Sequence, residues 1–166
     1  PGGAGRMILF SGYDDYNGFD DTWQLDLEGH RSWSRIDEGC VAKPPPRDRH
    51  AAIFDPIGQR MIVFGGWQRS RNTDYTLGDL WAFDLSGSGG CWKQLQPGPP
   101  NPPSLADASG VYDVCAQTPR MMVFGGVSGW ETDTDDRLTD FSDVWTLALG
   151  EPGTEAWTKL DPGGSR

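Results

Sequence analysis

Arg60–Gly66 reads RMIVFGG, a run of apolar residues that two glycines bring to an end. The phrase returns as RMMVFGG at Arg120–Gly126 and, with serine replacing the first glycine, as RMILFSG at Arg6–Gly12. The three copies begin at residues 6, 60 and 120 of a chain of 166 residues, which places them 54 and 60 residues apart. A period of this length indicates a repeat architecture, in which neighbouring units bury each other's apolar faces.

Each copy is followed by two further segments that carry a tryptophan. The first begins at Asp21, Asp79 and Asp143 and reads DTWQLDL, DLWAFDL and DVWTLAL; the second contains Trp33, Trp92 and Trp157. Alternation of apolar and polar residues in these runs predicts strands. Two copies are also preceded by a strand-like stretch. The predicted strands are 6–11, 21–27, 32–36, 49–55, 60–65, 79–85, 91–95, 108–113, 120–125, 143–149 and 156–160.

A unit of four strands, with a diglycine after the second and tryptophans on the third and fourth, resembles the kelch repeat. The resemblance covers nearly the whole chain and implies an all-β fold, a β-propeller of four-stranded antiparallel blades. The first blade spans about residues 1–40 and lacks its inner strand, the second about 47–96 and the third about 104–161, and residues 162–166 start a further blade. We therefore expect three blades, a fragment of a six- or seven-bladed ring that further blades of the same gene or a second copy complete.

The central run of each copy predicts how the blades pack. Residues 61–64 are apolar on both faces of the strand, as expected where a blade covers each side. The tryptophans that recur in register should be buried, namely Trp23, Trp33, Trp81, Trp92, Trp145 and Trp157, whereas Trp67 and Trp130 fall in unmatched loops and should be more exposed. Three blades leave two faces open and the edge of strand 6–10 unpaired, which predicts self-association or binding of a hydrophobic dye.

Composition argues against several classes of function. The formal net charge of −10 disfavours binding to nucleic acid, whose phosphates require a basic surface. No apolar run approaches the roughly 20 residues that a membrane-spanning helix needs. Cys40, Cys91 and Cys115 have no metal-ligand spacing and are interpreted as free thiols at turns and strand ends. The sequence predicts no metal and no cofactor.

The alternating direction of successive strands in a blade predicts which face carries the variable segments, and therefore where a partner would bind. In an antiparallel blade, the loop between the second and third strands emerges on the same face as the connector to the next blade. These segments are the loops 13–20, 67–75 and 127–142 and the proline-rich connectors 43–46 and 97–103. Partner peptides commonly dock on this face of kelch-like propellers, so the resemblance implies a non-catalytic module that binds a protein or peptide. The candidate partner-binding residues are Tyr13, Tyr16, Arg47, Arg49, Trp67, Arg69, Arg71, Trp130 and Asp133.

Two alternative functions stay open at this point. Trp67 and Trp130 beside charged residues also suit carbohydrate, because aromatic planes stack on sugars. Some kelch-type propellers are copper or iron enzymes, but His30 and His50 do not form the ligand clusters that these enzymes need. Catalysis would therefore require residues from further blades.

The acidic runs at 14–18 and 133–136 do not follow the calcium-loop pattern and are interpreted as solvated charge.

Overall fold

The computed structural model describes residues 5–14, 17–69, 73–116, 118–132, 134–151 and 153–161. This part of the chain forms strands and turns, and it contains no helix long and apolar enough to cross a membrane. The strands are β1 (Arg6–Tyr13), β2 (Gly18–Asp26), β3 (Trp33–Arg35), β4 (Ala51–Asp55), β5 (Arg60–Phe64), β6 (Trp67–Gln68), β7 (Asp74–Thr76), β8 (Leu80–Asp84), β9 (Trp92–Leu95), β10 (Ser109–Asp113), β11 (Arg120–Phe124), β12 (Val127–Glu131), β13 (Asp136–Asp140), β14 (Val144–Ala148) and β15 (Ala156–Leu160).

Three antiparallel sheets repeat along the chain, one for each sequence copy. The first sheet has the order β1-β2-β3, the second β4-β5-β8-β9 and the third β10-β11-β14-β15. The register is the same in each, because Leu9 pairs with Trp23, Val63 with Trp81 and Val123 with Trp145. The predicted all-β fold with four-stranded kelch-type blades is confirmed. Within the described residues, the first sheet has three strands and the other two have four.

A fourth sheet, which the sequence pattern does not predict, joins the second and third units. We call it the loop sheet, because its order β6-β7-β12-β13 is built from the segments that follow the two diglycines. Two hairpins, β6-β7 and β12-β13, meet where β7 pairs with β12. The segments 67–75 and 127–142, which were predicted to be loops, therefore each contain strand residues. The local sequence does not predict this pairing, because β7 belongs to the second unit and β12 to the third.

The diglycine is required by the backbone at the end of each central strand. Gly65 and Gly125 both have a φ of 68°, a left-handed conformation that residues with a Cβ rarely adopt. A Cβ on Gly65 would also lie 2.1 Å from the Leu105 carbonyl oxygen. Ser11 replaces this glycine in the first copy, has a φ of 61°, and accepts a hydrogen bond from the Arg47 amide at 2.8 Å. The first copy thus has the same backbone turn, and the Ser11 hydroxyl also binds the connector that contains Arg47.

Apolar clusters fill the two spaces between neighbouring sheets. One cluster, which includes Phe64, joins the second and third sheets, and the other, which includes Phe83, joins the first and second. All five residues of β5 are buried, which confirms the predicted cover on both faces. Leu9 and Phe124, on the first and third sheets, are 48% and 52% exposed. Self-association through these exposed faces stays a prediction.

The tryptophans follow the predicted pattern with two exceptions. The buried ones include Trp81, Trp92, Trp145 and Trp157, Trp23 is half-buried, and Trp130 is exposed as expected. The predicted burial of Trp33 is wrong, because it lies on β3, the edge strand of the three-stranded sheet, and is 45% exposed. The predicted exposure of Trp67 is also wrong. It is 3% exposed, since β6 is held against Asp48 of the connector by backbone hydrogen bonds of 2.8 and 3.1 Å.

Cys40 and Cys91 form a disulfide, so the interpretation of these two residues as free thiols is wrong. Their Cα atoms lie 5.3 Å apart although 51 residues separate them in the sequence. Cys40 lies on the connector after the first sheet, and Cys91 directly precedes β9 of the second. Packing of the two sheets brings the sulfur atoms together, and this proximity is not visible in the spacing of the cysteines. Cys115 is a free and exposed thiol, as interpreted.

Candidate functional site

The surface on which the sequence places the partner site is formed by three kinds of segment. We call it the loop face, and it comprises the β1–β2 turn, the connectors 43–50 and 97–107, and the loop sheet. Backbone hydrogen bonds join these segments: Asp48 pairs with Trp67, and Ala106 pairs with Val127 through two bonds of 2.9 Å. Because both connectors are bonded to the loop sheet, the loop face is a preformed surface rather than a set of independent loops.

Tyr13 and Arg69 meet where the first unit touches the second. The Tyr13 hydroxyl donates to the Pro46 carbonyl at 3.2 Å and accepts from the Arg69 amide at 2.9 Å. The Arg69 guanidinium lies 5.5 Å from the centre of the Tyr13 ring and donates to the Asp48 carboxylate at 2.7 Å. Burial is the main cause that raises the pKa of Tyr13 above its ordinary value. The Arg69 side chain is 40% exposed, so this pair stays accessible to a partner.

Arg47 is fully buried, which corrects its assignment to the partner-binding surface. Its guanidinium donates to both carboxylate oxygens of Asp79, at 2.6 and 2.8 Å, and to the Gly65 carbonyl at 2.9 Å. Burial pushes the pKa of Asp79 upward, but the hydrogen bonds and charge of Arg47 outweigh it and hold this pKa below its ordinary value. The Trp81 indole also donates to Asp79 at 2.6 Å. Arg47 therefore braces the turn into β8 and does not reach a partner.

Arg49 and Asp107 occupy equivalent positions in the two connectors and face each other across the loop face. Their side chains form an ion pair at 3.3 Å and are 53% and 45% exposed. The backbones are also joined, because the Asp107 amide donates to the Arg49 carbonyl at 3.0 Å. Both residues have left-handed φ values, 53° for Arg49 and 56° for Asp107, which are uncommon for residues with a Cβ. The sequence identified Arg49 and missed Asp107, although the alignment of the two connectors pairs them.

A row of side chains crosses the loop sheet from strand to strand. Gln68 on β6 pairs with Tyr75 on β7. Tyr75 pairs with Trp130 on β12, which pairs in turn with Arg137 on β13. Residues directly opposite each other in antiparallel strands share one side of the sheet, with Cβ atoms about 4.5–5.5 Å apart. Tyr75 is 41% and Trp130 38% exposed, and the Arg137 side chain is 70% exposed.

This row changes the composition of the candidate site. Trp130, a predicted site residue, lies in this row, and the strand register places Tyr75 and Arg137 beside it, which the sequence did not indicate. The Trp67 side chain is buried at the edge of the loop sheet, and Arg47 is buried as well. Neither residue can contact a partner, so we remove both from the candidate site. The predicted site residues Tyr16, Arg71 and Asp133 lie outside the described residues.

His50 lies beneath the loop face, next to the buried Arg47. Its ring centre is 5.7 Å from that of Phe10. Burial, followed by the charge of Arg47, lowers the pKa of His50 to about 4, and the Asp48 carboxylate opposes this shift only in part. His50 is therefore neutral in the folded protein at neutral pH. It belongs to the support of the connector rather than to the exposed surface.

The lowered pKa of His50 predicts a dependence of stability on pH. Between pH 6.5 and about 4 the unfolded chain binds a proton at this histidine and the folded protein does not, so stability falls as the pH is lowered. We expect the loss to reach about 2 kcal/mol at pH 5, because one pKa unit corresponds to about 1.4 kcal/mol. Urea unfolding at pH 7.5 and 5 would measure it. His50→Gln should remove this part of the loss and exposed His30→Gln should keep it; equal pH slopes for both variants would contradict the assignment.

Comparison with known proteins places the chain among kelch-repeat proteins. The sequence matches the family described as the KLHDC2/KLHL20/DRC7 Kelch-repeats domain over residues 3–166. It is 27% identical over 165 residues to the host cell factor homolog hcf-1 of Caenorhabditis elegans, covering 93% of this chain and 19% of that protein. Human host cell factor 2 is 41% identical over 75 residues, which are 43% of this chain and 9% of that protein.

Two further matches come from a motor protein and from a solved structure. The flagellar outer-arm dynein alpha chain of Chlamydomonas reinhardtii is 27% identical over 153 residues, or 89% of this chain and 3% of that protein. The structure of YjhT has a TM-score of 0.49 and 13% identity, and the match covers 89% of this chain and 60% of that chain. The chain thus spans less than a fifth of the length of the three curated relatives named here. Because the family match takes in all three sequence copies and the strands that they form, the chain belongs to the Kelch-repeat family.

Proposed function

We propose that this Kelch-repeat domain is a non-catalytic binding module that holds a protein or peptide partner on its loop face. Kelch-repeat domains typically act as protein-interaction modules, which supports a role of this kind. The observation that carries the proposal is the exposed row of Tyr75, Trp130 and Arg137 on a preformed sheet. Tryptophan, tyrosine and arginine are the residue types that dominate binding energy at protein interfaces.

The chemistry of the row defines the partner that fits it. Tyr75 and Trp130 offer adjacent aromatic surfaces to an apolar side chain. Arg137 at the end of the row donates through Nε to the Asp135 carboxylate at 3.4 Å, and its side chain is 70% exposed, so it can offer further N–H groups to a carboxylate of a partner. The nearby Arg49 and Arg69 are also each paired with an aspartate. A peptide that combines an apolar anchor with an acidic group is the best match to this surface.

We expect Trp130→Ala to weaken peptide binding by tenfold or more, because truncation of a hot-spot tryptophan typically costs about 2 kcal/mol or more. Peptides selected from a displayed library against the immobilised domain would serve as probes, with affinity measured by fluorescence anisotropy. Trp33→Ala is the matched control, because it removes a tryptophan of similar exposure, 45% against 38%, from β3 outside the loop face. Equal losses from the two variants would contradict the proposed surface.

Carbohydrate binding is the second candidate, and the same pair of exposed aromatic residues favours it. The planes of Trp130 and Tyr75 suit stacking on a sugar ring, with Gln68 and Arg137 at the two ends of the row as polar neighbours. A glycan array separates the two proposals. Binding to an oligosaccharide that Trp130→Ala abolishes, together with failure of every selected peptide, would favour the carbohydrate.

A further inference from the structure

The strand pairing that joins the second and third units in the loop sheet is short. β7 and β12 share two residue pairs, Tyr75 opposite Trp130 and Asp74 opposite Glu131, whereas β12 and β13 share five. So short a ladder specifies its register weakly, and a shift of one residue would move the paired side chains of β7 to the other face of the sheet. The position of Tyr75 beside Trp130 therefore requires a further contact between the two units.

The side chain of Thr76 provides such a contact. Thr76 follows Tyr75 on β7 and Gly129 precedes Trp130 on β12, so the two residues meet directly beyond the last pair. The Gly129 amide donates to Thr76 Oγ1 at 3.0 Å, and the Thr76 hydroxyl donates to the Gly129 carbonyl at 3.2 Å. Only glycine fits here, because a Cβ on Gly129 would lie 1.8 Å from the Arg137 carbonyl oxygen. The Thr76 hydroxyl thus holds a position that has no side chain of its own.

A chain of hydroxyl groups connects Thr76 to the connector 97–107. Thr76 Oγ1 lies 2.9 Å from Ser104 Oγ, which in turn lies 3.2 Å from Ser128 Oγ on β12. A hydroxyl has one hydrogen to donate and two lone pairs that accept. All of these contacts are satisfied when Ser128 donates to Ser104, Ser104 donates to Thr76 and Thr76 donates to the Gly129 carbonyl. Because Thr76 is 7% exposed, its hydrogen bonds are largely shielded from water.

We propose that Thr76 is a positioning residue of the loop face, which holds Tyr75 beside Trp130 by fixing the register between the second and third units. Successive residues of a strand point to opposite faces, so Thr76 lies on the other side of β7 from Tyr75. It acts through the two aromatic residues and not by contact with a ligand. The consequence for binding rests on the proposed function, whereas the register itself can be measured without a ligand.

Nuclear magnetic resonance of the whole 166-residue chain tests the register. Thr76→Val keeps the shape of the side chain and removes the hydroxyl. We expect the nuclear Overhauser effects between the Tyr75 and Trp130 rings to be lost and the Gly129 amide to exchange with solvent about tenfold faster. Thr76→Ser keeps the hydroxyl and should preserve both signals. Thr146→Val is the matched control, because Thr146 is also 7% exposed and its hydroxyl donates to the Thr158 carbonyl at 3.4 Å within the third sheet.

Fluorescence anisotropy with a labelled peptide, selected from a displayed library against the unsubstituted chain, tests the consequence for binding. Thr76→Val should weaken the affinity about fivefold, as loss of a hydrogen bond between uncharged groups does. Thr76→Ser and Thr146→Val should leave it unchanged. In a chain that already carries Trp130→Ala, Thr76→Val should have no further effect, because residues that act through one another are not additive.

The proposal is overturned if Thr76→Val keeps both the ring contacts and the slow exchange of the Gly129 amide, or if Thr76→Ser loses as much as Thr76→Val. An equal effect of Thr76→Val with and without Trp130 would also overturn it, because Thr76 would then act by general destabilisation. If Trp130→Ala by itself leaves peptide binding unchanged, the proposed function fails instead. The resonance measurements then still confirm or contradict the register, since they need no peptide.

Discussion

Replacing Arg47 by methionine is expected to lower the free energy of unfolding by about 3–5 kcal/mol, the usual cost of removing one partner of a buried ion pair. The Arg47 side chain has no exposed surface and donates to both oxygens of Asp79. Its removal leaves the Asp79 carboxylate with the Trp81 indole as its side-chain donor and the Gly65 carbonyl without its charged donor. Urea unfolding at neutral pH measures the loss as a shift in midpoint at constant slope.

Two further variants show whether the charge of the pair is the cause. Arg49→Met removes an arginine two residues away whose ion pair is half-exposed, and it should cost no more than about 1 kcal/mol. Adding Asp79→Asn to Arg47→Met should recover at least half of the loss, because the uncompensated charge disappears while an acceptor for the Trp81 indole remains. If the double variant is as unstable as Arg47→Met alone, the lost packing of the side chain is the cause instead of the charge.

Replacing Phe64 by alanine is expected to cost about 3–5 kcal/mol, because truncation of a buried phenylalanine loses transfer free energy and leaves a cavity. Phe64 is 1% exposed, and its ring centre lies 5.1 Å from that of Trp157 on the third sheet. The substitution therefore weakens the contact between the second and third sheets as well as the sheet itself. Thermal and urea unfolding both report the loss.

Phe124→Ala is the matched control, because Phe124 holds the same position in the RMMVFGG copy and is 52% exposed. We expect it to cost about 1 kcal/mol or less, as is usual for a side chain that stays largely in water. Comparable losses at the two positions would show that the motif position, rather than the cover by a neighbouring sheet, sets the energy.

The sequence was sufficient to predict the three repeated sheets and the order of their strands, but not the loop sheet. A central strand that is apolar on both faces and a tryptophan strand in fixed register are local properties that are repeated three times, and the αL residue at the end of the central strand is glycine in two copies and Ser11 in the first. Val63 therefore pairs with Trp81 in the way that Val123 pairs with Trp145.

The candidate site was predicted only in part, because strand register and packing between units place its residues. Arg49, Arg69 and Trp130 lie on the loop face as expected, but Arg47 and Trp67, from the same segments, are buried. Polarity and position in a loop did not distinguish these two groups. Tyr75 joins Trp130 because β7 pairs with β12 from the next unit, and Cys40 reaches Cys91 because two sheets pack.

The sequence by itself determined the repeat, the all-β fold and the face that carries the variable segments, since periodicity and glycine punctuation are properties of neighbouring residues. The tertiary structure alone decided which of those variable residues are exposed, which pair across units, and which carboxylate each arginine meets. These outcomes depend on contacts between residues that are tens of positions apart, such as Arg47 with Asp79 and Trp130 with Tyr75. Such contacts are fixed by the packing of whole sheets, and no local pattern in the chain encodes them.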